Sequence, residues 1–510
     1  MKKETKAQRV ERIKSQKEPL SVIDDILRFA KSGESIDDES MDRLKWYGLY
    51  PHSKISNDEL RSYFMLRIKL VNGRVNLKQL QCIADISKEF ARNSADLTVR
   101  SDIQLHWIQM KDVPEIFDRL DKVGLSTMMA CGDCTRNIAS CPVSGFDKDE
   151  IDDAQEILKS INDYFKGNTK FTNLPRKYKI GVSACSCNCM KYEIQDLFFS
   201  GFKSGDEILY HVGVGGGLGS NKRFSSNIGS VKKDQILKVA IEVTKLFRDY
   251  GNRENRNRAR LGHLVESFGV DEFKNILEKN LGFKLLPSYP ISCKSKRDHF
   301  GVHDSKKDGF SYIGFCVNAG VMSGDKLSFI ANSMKLHDIN TISLNGSQDF
   351  VMLDVPNQNV TQVITAMKEI DIYAKPSSFR AHALACVGLK YCKFAVSETK
   401  DLQCRVIEYL EDKLKDFDEN ISISFSGCNN SCSHPNIANL GFVGTKVNSQ
   451  EGFVLQVGGD IYKDKKSFAK KTTIKVEANR VHLLIEEIIN NYISSKSNYK
   501  NFVEFLNDNY

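Results

Sequence analysis

The chain has 510 residues, 41% of them hydrophobic and 27% charged, with 73 basic against 65 acidic side chains and a net charge of +8. That composition supports a large buried core spread over about two to four domains. With no run of about eighteen apolar residues, no membrane-spanning helix is expected; the diffuse basic excess suits an acidic partner or an anionic ligand, not nucleic acid.

The N-terminal MKKETKAQRVERIKSQKEPL is basic and has no apolar stretch behind it. It reads as a solvated, partly helical arm rather than a secretory signal, and a cytoplasmic location is expected. An internal repeat follows. In YFMLRIKLVNGRVNLKQLQCIADISKEF, Phe64, Leu66, Ile68 and Leu70 alternate with polar residues, as in a half-buried strand. Asn76, with Gln79 three residues on, is a capping-box start for a helix carrying Leu77, Leu80, Ile83 and Phe90. Next comes LTVRSDIQLHWIQM, another predicted strand, whose alternation places Arg100, Gln104 and His106 on one face, opposite Val99, Ile103, Leu105 and Trp107. The second copy begins at SYIGFCVNAGVMSGDKLSFIANSMKLH and continues through TISLNGSQDFVMLDV. Each copy reads strand, turn, helix, strand, helix, which predicts half of a ferredoxin-like α+β unit.

The repeat extends beyond these units. ACGDCTRNIASC parallels ACVGLKYCKFAV, KIGVSACSCNC parallels SISFSGCNNSC, and ILYHVGVGGGLGS parallels FVLQVGGDIYKD. The expected fold is α+β, with similar halves at roughly 55–290 and 300–510 packed about a pseudo-two-fold axis and a ligand in the cleft between them. Predicted helices in KDQILKVAIEVTKLFRDYG and VHLLIEEIINNYI complete the halves.

Fourteen cysteines in a chain without a secretory signal point to metal binding or burial before disulfides. Cys386 and Cys392 stand as C-x5-C, Cys428 and Cys432 as C-x3-C. Four such thiolates can close the coordination of a 4Fe-4S cube, with buried thiols or a zinc site as the alternative. In the first half, Cys185 and Cys189 stand where Cys428 and Cys432 do, with Cys187 between. Cys131 aligns with Cys386, and Asn137 takes the place of Cys392. That set reads as a vestigial copy, with a second metal site of Cys131, Cys134, Cys185 and Cys189 as the alternative. Cys82, Cys293, Cys316 and Cys404 sit in apolar contexts and are expected in the core.

In LPRKYKI, an extended backbone would point Lys177 and Lys179 the same way, with Tyr178 and Ile180 on the reverse. Like charges so placed repel, and an anion between them relieves the repulsion. Arg136 in GDCTRN adds a cation. The glycines of GVGGGLG lack the following acidic residue of a dinucleotide fold, so they read as a close backbone approach to a cofactor.

Arg100 in TVRSDIQLHW, Arg136, the LPRKYK lysines, VGGGLGS, the DYGNRENR run and C-x5-C…C-x3-C occur in this order. From about residue 45 onward the chain resembles the sulfite and nitrite reductases that couple siroheme to a 4Fe-4S cluster. The resemblance implies that Cys386, Cys392, Cys428 and Cys432 bind the cluster and that Cys432 is also the axial thiolate of the siroheme iron. Arg100, Arg136, Lys177 and Lys179 would surround the substrate oxyanion. Gln104, His106, Asn137, Arg253, Arg256, Arg258 and the backbone of Gly215, Gly216 and Gly217 would contact the macrocycle. It further implies an arm at 1–54, ferredoxin-like halves at 55–125 and 300–375, and larger cofactor-binding domains at 126–290 and 376–510. Lys179 favours sulfite over nitrite, since nitrite enzymes often carry Asn there. With no flavin or nicotinamide module in the sequence, electrons are expected from an acidic ferredoxin or a separate flavoprotein.

Overall fold

The computed structural model describes residues 4–52, 63–185, 187–219, 221–291, 299–462 and 466–510; Cys293 lies outside them. The predicted repeat is visible as two pairs of sheets. Tyr63–Ile68 pairs antiparallel with Ile103–Gln109, which in turn pairs with Ala95–Leu97. The second copy repeats this with Phe310–Val317, Phe350–Pro356 and Thr341–Leu344. Phe64, Leu66, Ile68 and Leu70 are buried as their alternation requires. The Asn76–Gln79 capping box closes reciprocally, at 3.0 Å in each direction.

The copies also trade strands. Arg74–Asn76 of the first pairs with Thr341–Leu344 of the second, and Val321–Met322 of the second pairs with Ala95–Leu97 of the first. Helices Leu77–Phe90 and Gly324–Leu336 pack together, and one hydrophobic core runs through both copies.

Each larger unit has its own sheet and core. In the first, Ile180–Ser183 runs parallel to Leu197–Ser204, followed antiparallel by Glu207–Val214 and Ser226–Lys232. Ile236–Tyr250 covers it, burying Ile236, Val239, Ala240, Val243 and Phe247 as the helical spacing predicts. In the second, Ala383–Ala385, Ile423–Ser426, Leu440–Val447, Gln450–Val457 and Lys470–Glu477 form the matching sheet, covered by Val481–Ser495.

Two expectations need correction. The arm is helical (Lys6–Gln16) but not solvated: Val10, Ile13 and Lys14 are buried, and Lys14 Nζ donates to Leu174 O at 2.9 Å. The Arg100 strand is shorter than its pattern. Val99 and Arg100 form a turn, closed by Ser101 at φ +55°, and pairing starts at Ile103. The alternation then breaks at Trp107, at φ +66°, where the register against Phe64 and Leu66 shifts. Such a bulge re-aims its side chains, so both faces of the strand are occupied by protein. Among the described residues, no helix is long and apolar enough to cross a membrane.

Candidate functional site

The turn that removes Arg100 from its strand carries it to the cleft between the units. Its guanidinium donates to Gln195 Oε1 at 3.0 Å and to Ile180 O at 3.1 Å. The extended Lys177–Lys179 segment lies alongside: Tyr178 and Ile180 are fully buried and both lysines face the other way, half-buried. Arg136 is held through Gly132 O (2.9 Å) and Ala130 O (3.2 Å).

These four predicted cations form one electrostatic group. Burial lowers Arg100 to about 10, with Asp102 and Asp196 opposing and Arg136 adding to the fall. Lys177 is pushed down to about 8 by burial and then by Arg260. Lys179 falls well below its ordinary value through burial, then the repulsion of Arg100, Lys177 and Arg260. Burial also opposes the charge of Arg136, but Tyr50, Cys131 and Cys134 outweigh it and hold the guanidinium firmly protonated. Arg260, one step beyond the three arginines singled out in sequence, belongs to this group. Its bidentate bond to buried Asp196, at 2.9 and 2.7 Å, fixes it there. Asp196 also accepts the Lys179 N–H at 2.8 Å. Arg100 and Lys179 line a cavity with Ser140, Gln195, Gly346 and His434. Among the described residues, Arg100 Nε, Ser140 Oγ and His434 Nδ1 have no hydrogen-bond partner. Crowded cations and unsatisfied polar atoms around one cavity fit an anionic occupant with many acceptor oxygens, as the carboxylates of siroheme and a small oxyanion would provide.

The other expected macrocycle contacts are engaged with protein. Gln104 accepts from Arg67 at 2.7 Å, and Asn137 Nδ2 bonds Leu70 O at 2.6 Å and Asp102 Oδ1 at 2.8 Å. Arg253 pairs with Glu11 at 2.6 Å, and Arg256 forks onto Asp133 at 2.7 and 3.1 Å. Arg258, 61% exposed, lies 3.4 Å from Glu266. A Cβ at Gly216 would stand 2.4 Å from Glu193 O, so that glycine admits neighbouring backbone. Gly215 adopts φ +91°, and Gly217 lies beside Arg260.

The four second-half cysteines gather at the end of the strands Ala383–Ala385 and Ile423–Ser426. Cys386 Sγ accepts the Gly427 N–H at 3.1 Å. Burial, reinforced by Cys432, raises Cys386 to about 12; burial raises Cys392 to about 11 and lifts Cys428 as well. Lys177 is within electrostatic reach of Cys432, the most exposed of the set. No three of these four sulfurs lie within 4.8 Å of one another. That openness suits a cube, in which each thiolate holds a different iron. His106 supports this loop: it stacks on Tyr391, beside Cys392, at 3.6 Å and 11°. Its Nε2 lies 2.8 Å from buried Asp96, which Lys400 reaches at 3.1 Å.

The first-half cysteines are arranged otherwise than their spacing suggests. Cys131 and Cys134 stay with each other and Arg136, Cys134 Sγ reaching Cys131 O at 3.0 Å. The strand registers Ala139↔Gly181 and Leu384↔Ser424 make Cys141, not Cys131, the counterpart of Cys386, and Asp147, not Asn137, that of Cys392. Cys141, Cys185 and Cys189 have sulfurs all within 4.8 Å.

The family model "Nitrite and sulphite reductase 4Fe-4S domain" matches residues 131–285 and 378–507, and "Nitrite/Sulfite reductase ferredoxin-like half domain" matches 59–123. "Sulfite reductase (ferredoxin) 1" of Mycolicibacterium paratuberculosis is 33% identical over 97% of this chain and 94% of that protein. "Ferredoxin–nitrite reductase" of Synechococcus elongatus is 28% identical over 89% of this chain and 91% of that protein. The solved structure of the Mycobacterium tuberculosis NirA protein superposes with a TM-score of 0.94 at 31% identity, covering 98% of this chain and 96% of that one. The chain therefore belongs to the nitrite and sulfite reductases, oxidoreductases of duplicated ferredoxin-like and 4Fe-4S domains whose cofactors are siroheme and a 4Fe-4S cluster.

Proposed function

We propose that the chain carries out the six-electron reduction of sulfite to sulfide, with electrons from a separate ferredoxin. The observation that carries this is Lys179, a second lysine forced beside Lys177, Arg100 and Arg260 in a low-dielectric cavity. One more cation there favours a doubly charged oxyanion over a singly charged one. Siroheme would supply the iron that binds the oxyanion, and the cluster the electrons, with Cys386, Cys392, Cys428 and Cys432 as ligands and Cys432 shared between the two cofactors. Arg100, Arg136, Lys177 and Lys179 orient the substrate, and the lysines, with pKa values lowered toward neutrality, hand over protons as oxygens leave as water. Gly217 and Arg260, with Arg258 further out, face the macrocycle carboxylates. Arg253 and Arg256 act through the loop they tie down.

The donor follows from the relatives' printed names and the net charge of +8, which suits a small acidic protein; a flavoprotein subunit is the alternative. Nitrite reduction to ammonium is the second reading, because a ferredoxin–nitrite reductase matches nine-tenths of the chain. Steady-state assays with both anions and one artificial reductant decide between them: a higher kcat/KM for nitrite overturns the sulfite reading. The purified protein should show a Soret band with a red charge-transfer feature, whereas broad cluster absorption alone would refute the cofactor assignment. Cys432→Ser should abolish turnover and cofactor coupling; full turnover would remove the shared-thiolate role.

A further inference from the structure

Three thiols of the first half and the imidazole of His299 converge beside the cation cavity, which Cys189 also lines. Cys185 Sγ lies 3.8 Å from Cys189 Sγ, and His299 Nε2 lies 3.1 Å from Cys189 Sγ and 3.6 Å from Cys141 Sγ. We propose that Cys141, Cys185, Cys189 and His299 bind one zinc ion in a closed structural site.

The distances discriminate between metals. In a tetrahedron with Zn–S about 2.3 Å and Zn–N about 2.0–2.1 Å, sulfur ligands stand about 3.8 Å apart and sulfur–nitrogen pairs about 3.6 Å. The Cys185–Cys189 separation of 3.8 Å and the Cys141–His299 separation of 3.6 Å match such edges, and the three sulfurs all lie within 4.8 Å of one another. A 4Fe-4S cube needs its thiolates farther apart, one on each iron, than the 3.8 Å between Cys185 and Cys189. Three soft thiolates and an imidazole are a common zinc set, and binding would release the thiol protons.

The position explains the set. By strand register, Cys141, Cys185 and Cys189 occupy the places of Cys386, Cys428 and Cys432, while the fourth place holds Asp147. His299, from the start of the second half, supplies the missing ligand. Cys141, Cys185 and His299 are buried at 2%, 8% and 4% exposure, and Cys189 is half-buried at the cavity edge. Arg74, which donates to Ser144 O, is within electrostatic reach of Cys141 and offsets the site's net negative charge. The ion would pin the start of the second half onto the first.

The test is metal analysis of the holoenzyme grown with zinc. Wild type should carry about one zinc per chain, released by a thiol-reactive mercurial and read with a chromogenic chelator. Cys185→Ala and His299→Ala should each lose that zinc while the siroheme absorption persists. Absence of zinc in wild type, iron in its place, or unchanged zinc in a soluble His299→Ala variant would overturn the proposal. The mercurial titration on wild type decides the matter even where the variants fail to fold.

Discussion

At the scale of single residues, the cavity is built from charges the protein cannot neutralise by itself. Lys179 has cationic neighbours on several sides and Asp196 as its counter-charge. Lys179→Asn removes one charge-assisted contact to the oxyanion, worth roughly 1.5–3 kcal/mol. Sulfite kcat/KM should therefore fall about 10- to 100-fold, with a markedly smaller loss for nitrite; equal losses in parallel assays would contradict the charge-matching role. Lys177 sets a pH dependence. Its pKa is lowered to about 8, so it is protonated below that pH and neutral above it. An anion binds the protonated form better, so the dissociation constant for a non-reducible oxyanion should rise with pH above about 8. A constant that stays flat from pH 7 to 9, by equilibrium titration, would contradict this. Lys177 and Lys179 were legible in the sequence because side chains two apart on an extended segment share a direction, whereas Arg100 and Arg136 stood out through the ordered motifs, and Arg100 reaches the cavity from a turn. Arg260 was not, since only the fold reveals that Asp196 lies opposite it. Cys141 and His299 were hidden for a similar reason: strand register, not spacing, decides which cysteines are equivalent.

At the scale of elements, the cluster loop Cys386–Cys392 rests on a buried ion pair that joins the two halves, Asp96 from the first and Lys400 from the second. Burial opposes ionisation of Asp96, but Lys400 and His106 outweigh it and hold the carboxyl below its usual range. Both side chains of the Asp96–Lys400 pair are 6% exposed. Removing one partner leaves an unpaired buried charge, at a cost of about 3–5 kcal/mol. Asp96→Asn should destabilise by that order in chemical denaturation, and the double variant with Lys400→Met should recover much of it. Additive losses in the double variant would rule the pair out as the cause. Helices and paired strands of the repeat were readable from period and capping, as at Asn76 and Ile236. The bulge at Trp107 was not, because a pattern of alternation carries no mark of the residue at which pairing slips.

At the scale of the whole molecule, the two copies are one folding unit. Their common core contains Leu80 and Ile83 from one copy beside Leu327 and Ile330 from the other. The ferredoxin-like copy at 55–125 should therefore lack cooperative thermal unfolding when expressed alone; a sharp transition would show that copy to be autonomous. The basic N-terminus, read as solvated from its charge, is instead drawn in by carboxylates: Lys14 contacts Glu11 at 2.6 Å and Asp133 at 3.6 Å. Composition reports how many charges a segment has, and only the fold reports where their partners wait.

The exchanged strands also set a timetable. During synthesis, the edge of Ala95–Leu97 emerges more than two hundred residues before Val321–Met322, its partner. At ribosomal rates of about 5–20 residues per second, that edge stays bare for roughly 10–45 s. The nascent chain is thus exposed to wrong pairing at the strand that carries Asp96 until its partner emerges, and the support beneath the cluster loop is completed only once Lys400 has been made.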